Sequence, residues 1–162
     1  MVFVYSLFSG ESEAPGGGLK AEEAVYREVA RSRRNGSPMS VVVLTLPVAA
    51  RRLGARPATR HEGRAAVLVR RYDQIVPGSP ARLVVIAPDA SSVGAAALAE
   101  RLRTRLELQV GAASFPDDGS TADELLALAA RRARTSVQQS GRAAPAAGPR
   151  ATGSSRAAAA GQ

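Results

Sequence analysis

The sequence predicts an α+β fold, a sheet covered by helices, and three observations carry that reading. Val41 to Leu46 is a continuous, β-branched-rich run, the signature of a strand buried on both faces, and Leu83 to Ala87 and Leu108 to Ser114 read as two further buried strands. Between and around them lie stretches with the apolar spacing of amphipathic helices. A shorter run, Gln74-Ile75-Val76, is joined to Leu83 through Pro77-Gly78-Ser79-Pro80, which reads as a hairpin. Strands and helices in this mixture pack as layers around one core.

Taken in order, Ser9 to Gly18 carries three consecutive glycines, a proline and two glutamates, so residues 1–18 read as a flexible lead-in. Ala21 to Arg34 places Ala21, Ala24, Val25 and Val29 at helical spacing, and Asn35-Gly36-Ser37-Pro38 stops it. Glu62 to Tyr72 reads as a second helix with Ala65, Leu68 and Val69 on one face. Ser92 to Leu106 is the third, and Thr121 to Gln139 the fourth. The last opens Thr121-Ala-Asp-Glu124, a capping box in which each end satisfies a backbone donor of the other. From Gly141 to Gln162 the sequence reduces to Ala, Gly, Pro, Ser and Arg, with Thr152 and a terminal Gln. Such a segment buries too little apolar surface to offset its ordering entropy, and 141–162 is expected to be disordered. The folded unit is therefore 19–140, with no internal repeat.

Composition narrows the function. The chain has 162 residues, enough for one domain with a real core. It has no cysteine, which removes disulfides and thiolate metal sites. Met1 to Phe8 is apolar but short and lacks a basic leader, so no signal peptide or membrane span is expected and the cytoplasm is the default location. The net charge is +8, and Lys20 is the only lysine among 22 basic residues. Arginine favours phosphates and guanine edges because its planar fork bonds bidentately. Arginine with alanine is also what a GC-rich genome supplies, so charge alone names no partner.

Three stretches resemble the GGDEF family, the diguanylate-cyclase domains. Tyr26-Arg-Glu-Val-Ala-Arg-Ser-Arg-Arg-Asn-Gly-Ser-Pro-Met-Ser-Val-Val-Val-Leu44 is similar to the family's opening helix, turn and first strand. Asp73 to Asp89 resembles its hairpin, ending Leu-Val-Val-Ile-Ala-Pro-Asp. Val110-Gly-Ala-Ala-Ser-Phe-Pro-Asp-Asp-Gly-Ser-Thr-Ala-Asp-Glu-Leu-Leu-Ala-Leu-Ala129, followed by Ser140-Gly141-Arg142, resembles its closing strand, loop and helix. The resemblance implies a nucleotide-cyclase-like palm, with a central, mostly antiparallel sheet flanked by helices.

The departures from the family fall on its chemistry. Active members carry acids at the end of the first strand to hold divalent metals against GTP; the matching positions here are Thr45 and Pro47. Neither supplies the carboxylate oxygens that hard cations need. The signature Gly-Gly-Asp/Glu-Glu-Phe falls on Ser79-Pro80-Ala81-Arg82-Leu83, so its glycines and acids are gone and Arg82 brings the opposite charge. His61 and Gly63 are at most a remnant of the pocket elements; His61 has no ligand cluster around it and reads as a surface residue. The resemblance thus implies a domain that is not an enzyme and holds neither metal nor cofactor.

One family feature survives. Many members bind cyclic di-GMP at a second site through Arg-x-x-Asp ahead of the signature, and Arg70-Arg71-Tyr72-Asp73 keeps that spacing. Arginine can bond guanine O6 and N7 or a phosphate, and aspartate can accept from the guanine N–H edge. Arg70 and Asp73 are the candidate ligands, projecting from one exposed corner where the helix meets the hairpin. Arg71 is a further phosphate contact, and Arg101 is the candidate arginine from the helix after the hairpin. The bland readings are a solvated Arg70–Asp73 ion pair worth under about 1 kcal/mol, and for Arg101 an ordinary helix-surface arginine. Expected partners are cyclic di-GMP and a protein that reads its binding, with a homodimer left open. A ligand-independent pseudo-cyclase used for docking or dimerisation is the alternative. Specific nucleic-acid binding ranks last, because no aromatic-rich basic strand or helix-turn-helix pattern is present.

Overall fold

The structure, a computed structural model, describes residues 17–46, 55–78 and 81–140. Expectations for 1–16, for Pro47, Ser79 and Pro80, and for the tail 141–162 fall outside these residues. The elements are α1 (Gly17–Asn35), β1 (Met39–Thr45), α2 (Ala55–Ala66), β2 (Gln74–Pro77), β3 (Arg82–Pro88), α3 (Ser92–Leu106), β4 (Gln109–Phe115) and α4 (Ala122–Ser140). The four strands form one sheet in the order β2-β3-β1-β4, every pair antiparallel.

The central strand explains the layering. All seven residues of β1 are buried, which requires cover on both faces. Val41 and Val43 join the cluster under α1 and α4, with Val25, Ile86 and Leu125. Val42 and Leu44 join the cluster under α2 and α3, with Val85, Leu98 and Leu102. The period-two alternation of a strand thus divides one apolar run between two cores. At the start of β1, Ser40 opposes Ser114 of β4, with Oγ–Oγ at 2.9 Å. Ser40 gives its single proton to the Ala90 carbonyl at 2.8 Å, so Ser114 must be the donor in the serine pair.

Most predicted elements stand within two residues of their expected bounds. The capping box forms: Thr121 Oγ1 accepts from Glu124 N–H at 3.2 Å, and Glu124 Oε2 accepts from Thr121 N–H at 3.1 Å. Two boundaries differ. α1 begins at Gly17, inside the glycine run read as lead-in. The second helix is Ala55–Ala66 rather than Glu62–Tyr72. Pro57 sits in its first turn, where an N–H is not needed. Leu68 and Val69 still pack on the core, but from a turn beyond the helix end, which mimics helical spacing.

α4 lies against β4 backbone to backbone. A Cβ on Gly111 would stand 2.2 Å from both the Ala129 carbonyl oxygen and the Ala133 nitrogen, so only glycine fits. The outer edge of β4 is closed by side chains. Arg132 donates to the Ala112 carbonyl at 2.8 Å and, through both terminal nitrogens, to Asp118 at 2.8 and 2.7 Å. Asp118 in turn accepts from Ser114 N–H at 3.0 Å. The hydrogen bonds from Arg132 hold the Asp118 carboxyl below its ordinary value, against the opposing effect of burial and with help from Ser114 N–H.

Two outcomes follow. Gly111→Ala should lower the urea midpoint strongly, since strand and helix must separate to admit a methyl group; overpacking of this kind costs about 1–3 kcal/mol or more. An unchanged midpoint would show that the contact is looser. Because the folded-state pKa of Asp118 is depressed, its contribution is present above the unfolded aspartate value, about 3.9, and is lost as pH falls through the lower folded value. Melting curves from pH 6 down to about pH 2 should therefore fall less steeply for Asp118→Asn than for the wild type. Parallel slopes would remove Asp118 as a source of acid sensitivity.

Candidate functional site

Arg70 to Asp73 form a closed turn between α2 and β2. The half-buried Leu68 and Val69 anchor its approach, and β2 fixes its exit. Asp73 N–H donates to the Arg70 carbonyl at 3.1 Å, which puts Arg71 and Tyr72 at the two corners. The Asp73 carboxylate closes the turn a second time, its Oδ2 accepting from Arg70 N–H at 2.7 Å. Residues 70 and 73 thus each donate to and accept from the other. Arg70, Arg71 and Tyr72 are exposed and Asp73 is half-buried.

This geometry corrects the sequence reading in two respects. The motif lies in a turn four residues past the helix end at Ala66, not at the helix terminus. Asp73 is not in a solvated ion pair with the Arg70 guanidinium: its carboxylate is bonded to the Arg70 backbone. Neither the Arg70 nor the Arg71 guanidinium has a hydrogen bond or ion pair among the described residues. The corner therefore presents two uncommitted cations beside a carboxylate held in place by the chain.

Arg101 lies exposed on α3, beside the buried Leu102. It makes no hydrogen bond or ion pair among the described residues, whereas its neighbour Glu100 is taken by Arg103 at 2.6 Å. One turn on, the Arg105 carbonyl accepts from Arg64 of α2 at 3.2 Å. Residues one turn apart share a helix flank, so Arg101 stands on the side that α2 approaches. Leu68, Val69 and Leu102 border one core cluster. Arg101 and the turn therefore share a layer of the fold, but no bond joins Arg101 to Arg70, Arg71 or Asp73.

The same layer is electropositive. His61 on α2 is half-buried rather than at the surface, and its Nδ1 is buried with no partner among the described residues. Burial lowers its pKa, and Arg64 and Arg60 lower it further, so it adds no charge at neutral pH. Burial also raises the pKa of Glu62 on the same helix. A cleft of about 380 Å³ opens elsewhere, between α3, β4 and α4, lined by Ala95, Ala99, Ala112, Asp118 and Arg132 among others; none of the candidate ligands lines it.

At the other end of β1, Thr45 is flanked by Arg82 on β3 and Gln109 on β4. Thr45 is buried and Arg82 exposed. The sequence contains no aspartate or glutamate from Val29 to His61, nor from Gln74 to Pro88. β1 and β3, which meet at this corner, thus bring no carboxylate to it, the ligand type that divalent cations favour. Two features were not visible from sequence. Exposure of Tyr72 depends on the turn rather than a helix face, and the Asp118–Arg132 pair joins residues with no periodic relation. Only Phe115-Pro-Asp-Asp-Gly119, a turn-forming string, hinted at one half of that pair.

No protein-family model matches the sequence, and no curated protein does. Solved structures do match. The GGDEF domain of YfiN (TpbB) from Pseudomonas aeruginosa superposes with a TM-score of 0.63 at 18% identity, over 73% of this chain and 87% of that one. The active GGEEF domain of a diguanylate cyclase from Vibrio cholerae gives 0.62 at 13% identity, over 75% and 90%. A sensory box/GGDEF family protein from Caulobacter crescentus gives 0.58 at 16% identity, over 79% and 99%. The chain has the GGDEF-domain fold. No described helix is long and apolar enough to cross a membrane.

Because Asp73 closes its own turn, removing the carboxylate should cost stability before any ligand is considered. Asp73→Ala is expected to lose about 0.5–1.5 kcal/mol, and Asp73→Asn, which keeps an acceptor, much less. Equal unfolding midpoints for Asp73→Ala and the wild type would show that the carboxylate bond contributes nothing.

Proposed function

We propose that this domain is a catalytically silent member of the GGDEF fold that binds cyclic di-GMP at the 70–73 corner and passes the binding event to a protein partner in the cytoplasm. Arg70 contacts a guanine edge or a phosphate, Asp73 accepts from the guanine N–H edge through its remaining oxygen, and Arg71 contacts phosphate. Arg101 adds a cation from α3. The observation that carries the reading is the doubly closed turn, which holds two unpaired guanidiniums next to an oriented carboxylate. The silence rests on Thr45, Arg82 and Gln109 standing together where the family's chemistry needs acids. No metal or cofactor is required.

The alternative, a ligand-independent interaction module, draws support from one observation. Asp73 is already used by Arg70 N–H, so the motif has a folding role that could preserve it without any ligand.

Calorimetry with cyclic di-GMP, with GTP as control, tests the reading. The wild type should bind the dinucleotide. Arg70→Ala and Asp73→Asn should weaken binding roughly 30- to several-thousand-fold, because truncating one side of a shielded charged pairing costs about 2–5 kcal/mol. Arg82→Ala, at the Thr45 corner, should change little. In the same samples, GTP with magnesium or manganese should yield no cyclic di-GMP. Absence of binding at high micromolar ligand would hand the function to the interaction module, and turnover above a no-enzyme control would overturn the silent reading.

A further inference from the structure

Four large apolar side chains stand exposed among the described residues: Tyr26, Val67, Tyr72 and Val93. Val67 and Tyr72 bracket Arg70 and Arg71, and Tyr72 is 78% exposed. Apolar side chains on a surface are ordinary when scattered. Tyr72 differs because of what holds it. It occupies a corner of a turn closed twice, by Asp73 N–H to the Arg70 carbonyl and by Arg70 N–H to the Asp73 carboxylate. Its hydroxyl has no partner among the described residues. Behind it, the packing positions of the segment are filled by Leu68 and Val69. The ring is therefore displayed on a rigid corner, between Arg71 and Asp73 in the chain and two residues before Gln74, the first residue of β2.

We infer that Tyr72 is a stacking platform for a purine base of the ligand held at this corner. The inference rests on the proposed cyclic di-GMP reading and adds to it a contact of a different kind. A ligand recognised by charge alone, such as a polyphosphate, would gain nothing from an aromatic ring between the arginine pair and Asp73. A purine nucleotide presents both surfaces that the corner offers: an anionic phosphate for the guanidiniums and a planar π-face for the ring. Tyrosine suits the role because it provides a large contact surface while immobilising only two side-chain torsions. A turn that is already closed adds little further ordering cost on binding.

The experiment combines affinity with a spectroscopic signal. Tyr72→Ala should weaken cyclic di-GMP binding by about five- to a hundred-fold, the range for losing one base–aromatic stack. Tyr72→Phe, which keeps the ring, should stay within about threefold of the wild type. The chain contains no tryptophan, so Tyr72→Trp adds a single fluorophore, whose emission should be quenched by a stacked guanine at saturation. Thermal melts of all three should match the wild type, because the side chain is exposed. If the wild type binds while Tyr72→Ala binds equally well and the Tyr72→Trp emission does not move, the stacking inference is wrong and the binding reading stands. If the wild type does not bind at all, both fall together.

Discussion

A single strand fixes the arrangement of everything else. β1 pairs with β3 on one side and β4 on the other and has no exposed residue, so neither face can be left to water. Odd-numbered positions call for α1 and α4, even-numbered ones for α2 and α3. Once both layers are in place, β3 must carry the short β2 at the outside, and the segment that feeds β2 is pushed to the rim. The 70–73 corner is where that segment turns. Its position follows from the demand of β1 for cover on both faces, not from anything a ligand requires.

That origin bears on how the corner could work. The turn is built from its own hydrogen bonds, with two half-buried aliphatic side chains as anchor, and does not depend on the arginines that it displays. The guanidiniums of Arg70 and Arg71 are thereby left over from folding. Under the proposed reading such a site is preorganised, because folding supplies the frame and leaves the two guanidiniums for the ligand. Asp73 is the exception, sharing one carboxylate between the turn and the outside. Under that reading, substitutions at the two ends of the motif report on different things: at Arg70 on recognition, at Asp73 on recognition and local structure together.

Much of the fold was legible in the sequence where one physical signal dominated. The strands at Val41 and Leu83 read directly because β-branched runs have few other uses, and the capping box at Thr121 and Glu124 read directly because its chemistry is local. The second helix did not. Ala65, Leu68 and Val69 have helical spacing, yet only Ala65 is helical; a turn that dips back to the core leaves the same imprint. The spacing of Arg70 and Asp73 located the corner, but sequence could not tell that the carboxylate faces the backbone rather than the guanidinium. Tyr72 carries no sequence signal of its own, because a helix through it would give it an ordinary surface place. Arg132 and Asp118 meet only in three dimensions, across the connection between β4 and α4.

The two margins of the sheet also say something about company. At Ala112 and Ser114 the outward carbonyl and N–H are already occupied by Arg132 and Asp118, while the opposite margin, β2, is four residues long and finishes at Pro77. A neighbouring polypeptide seeking to continue the ladder would meet rungs already taken at the first and scarcely any length at the second. Both margins thereby disfavour backbone pairing with another chain, and the side-chain surfaces of the helices and turns are left as the places open to contact.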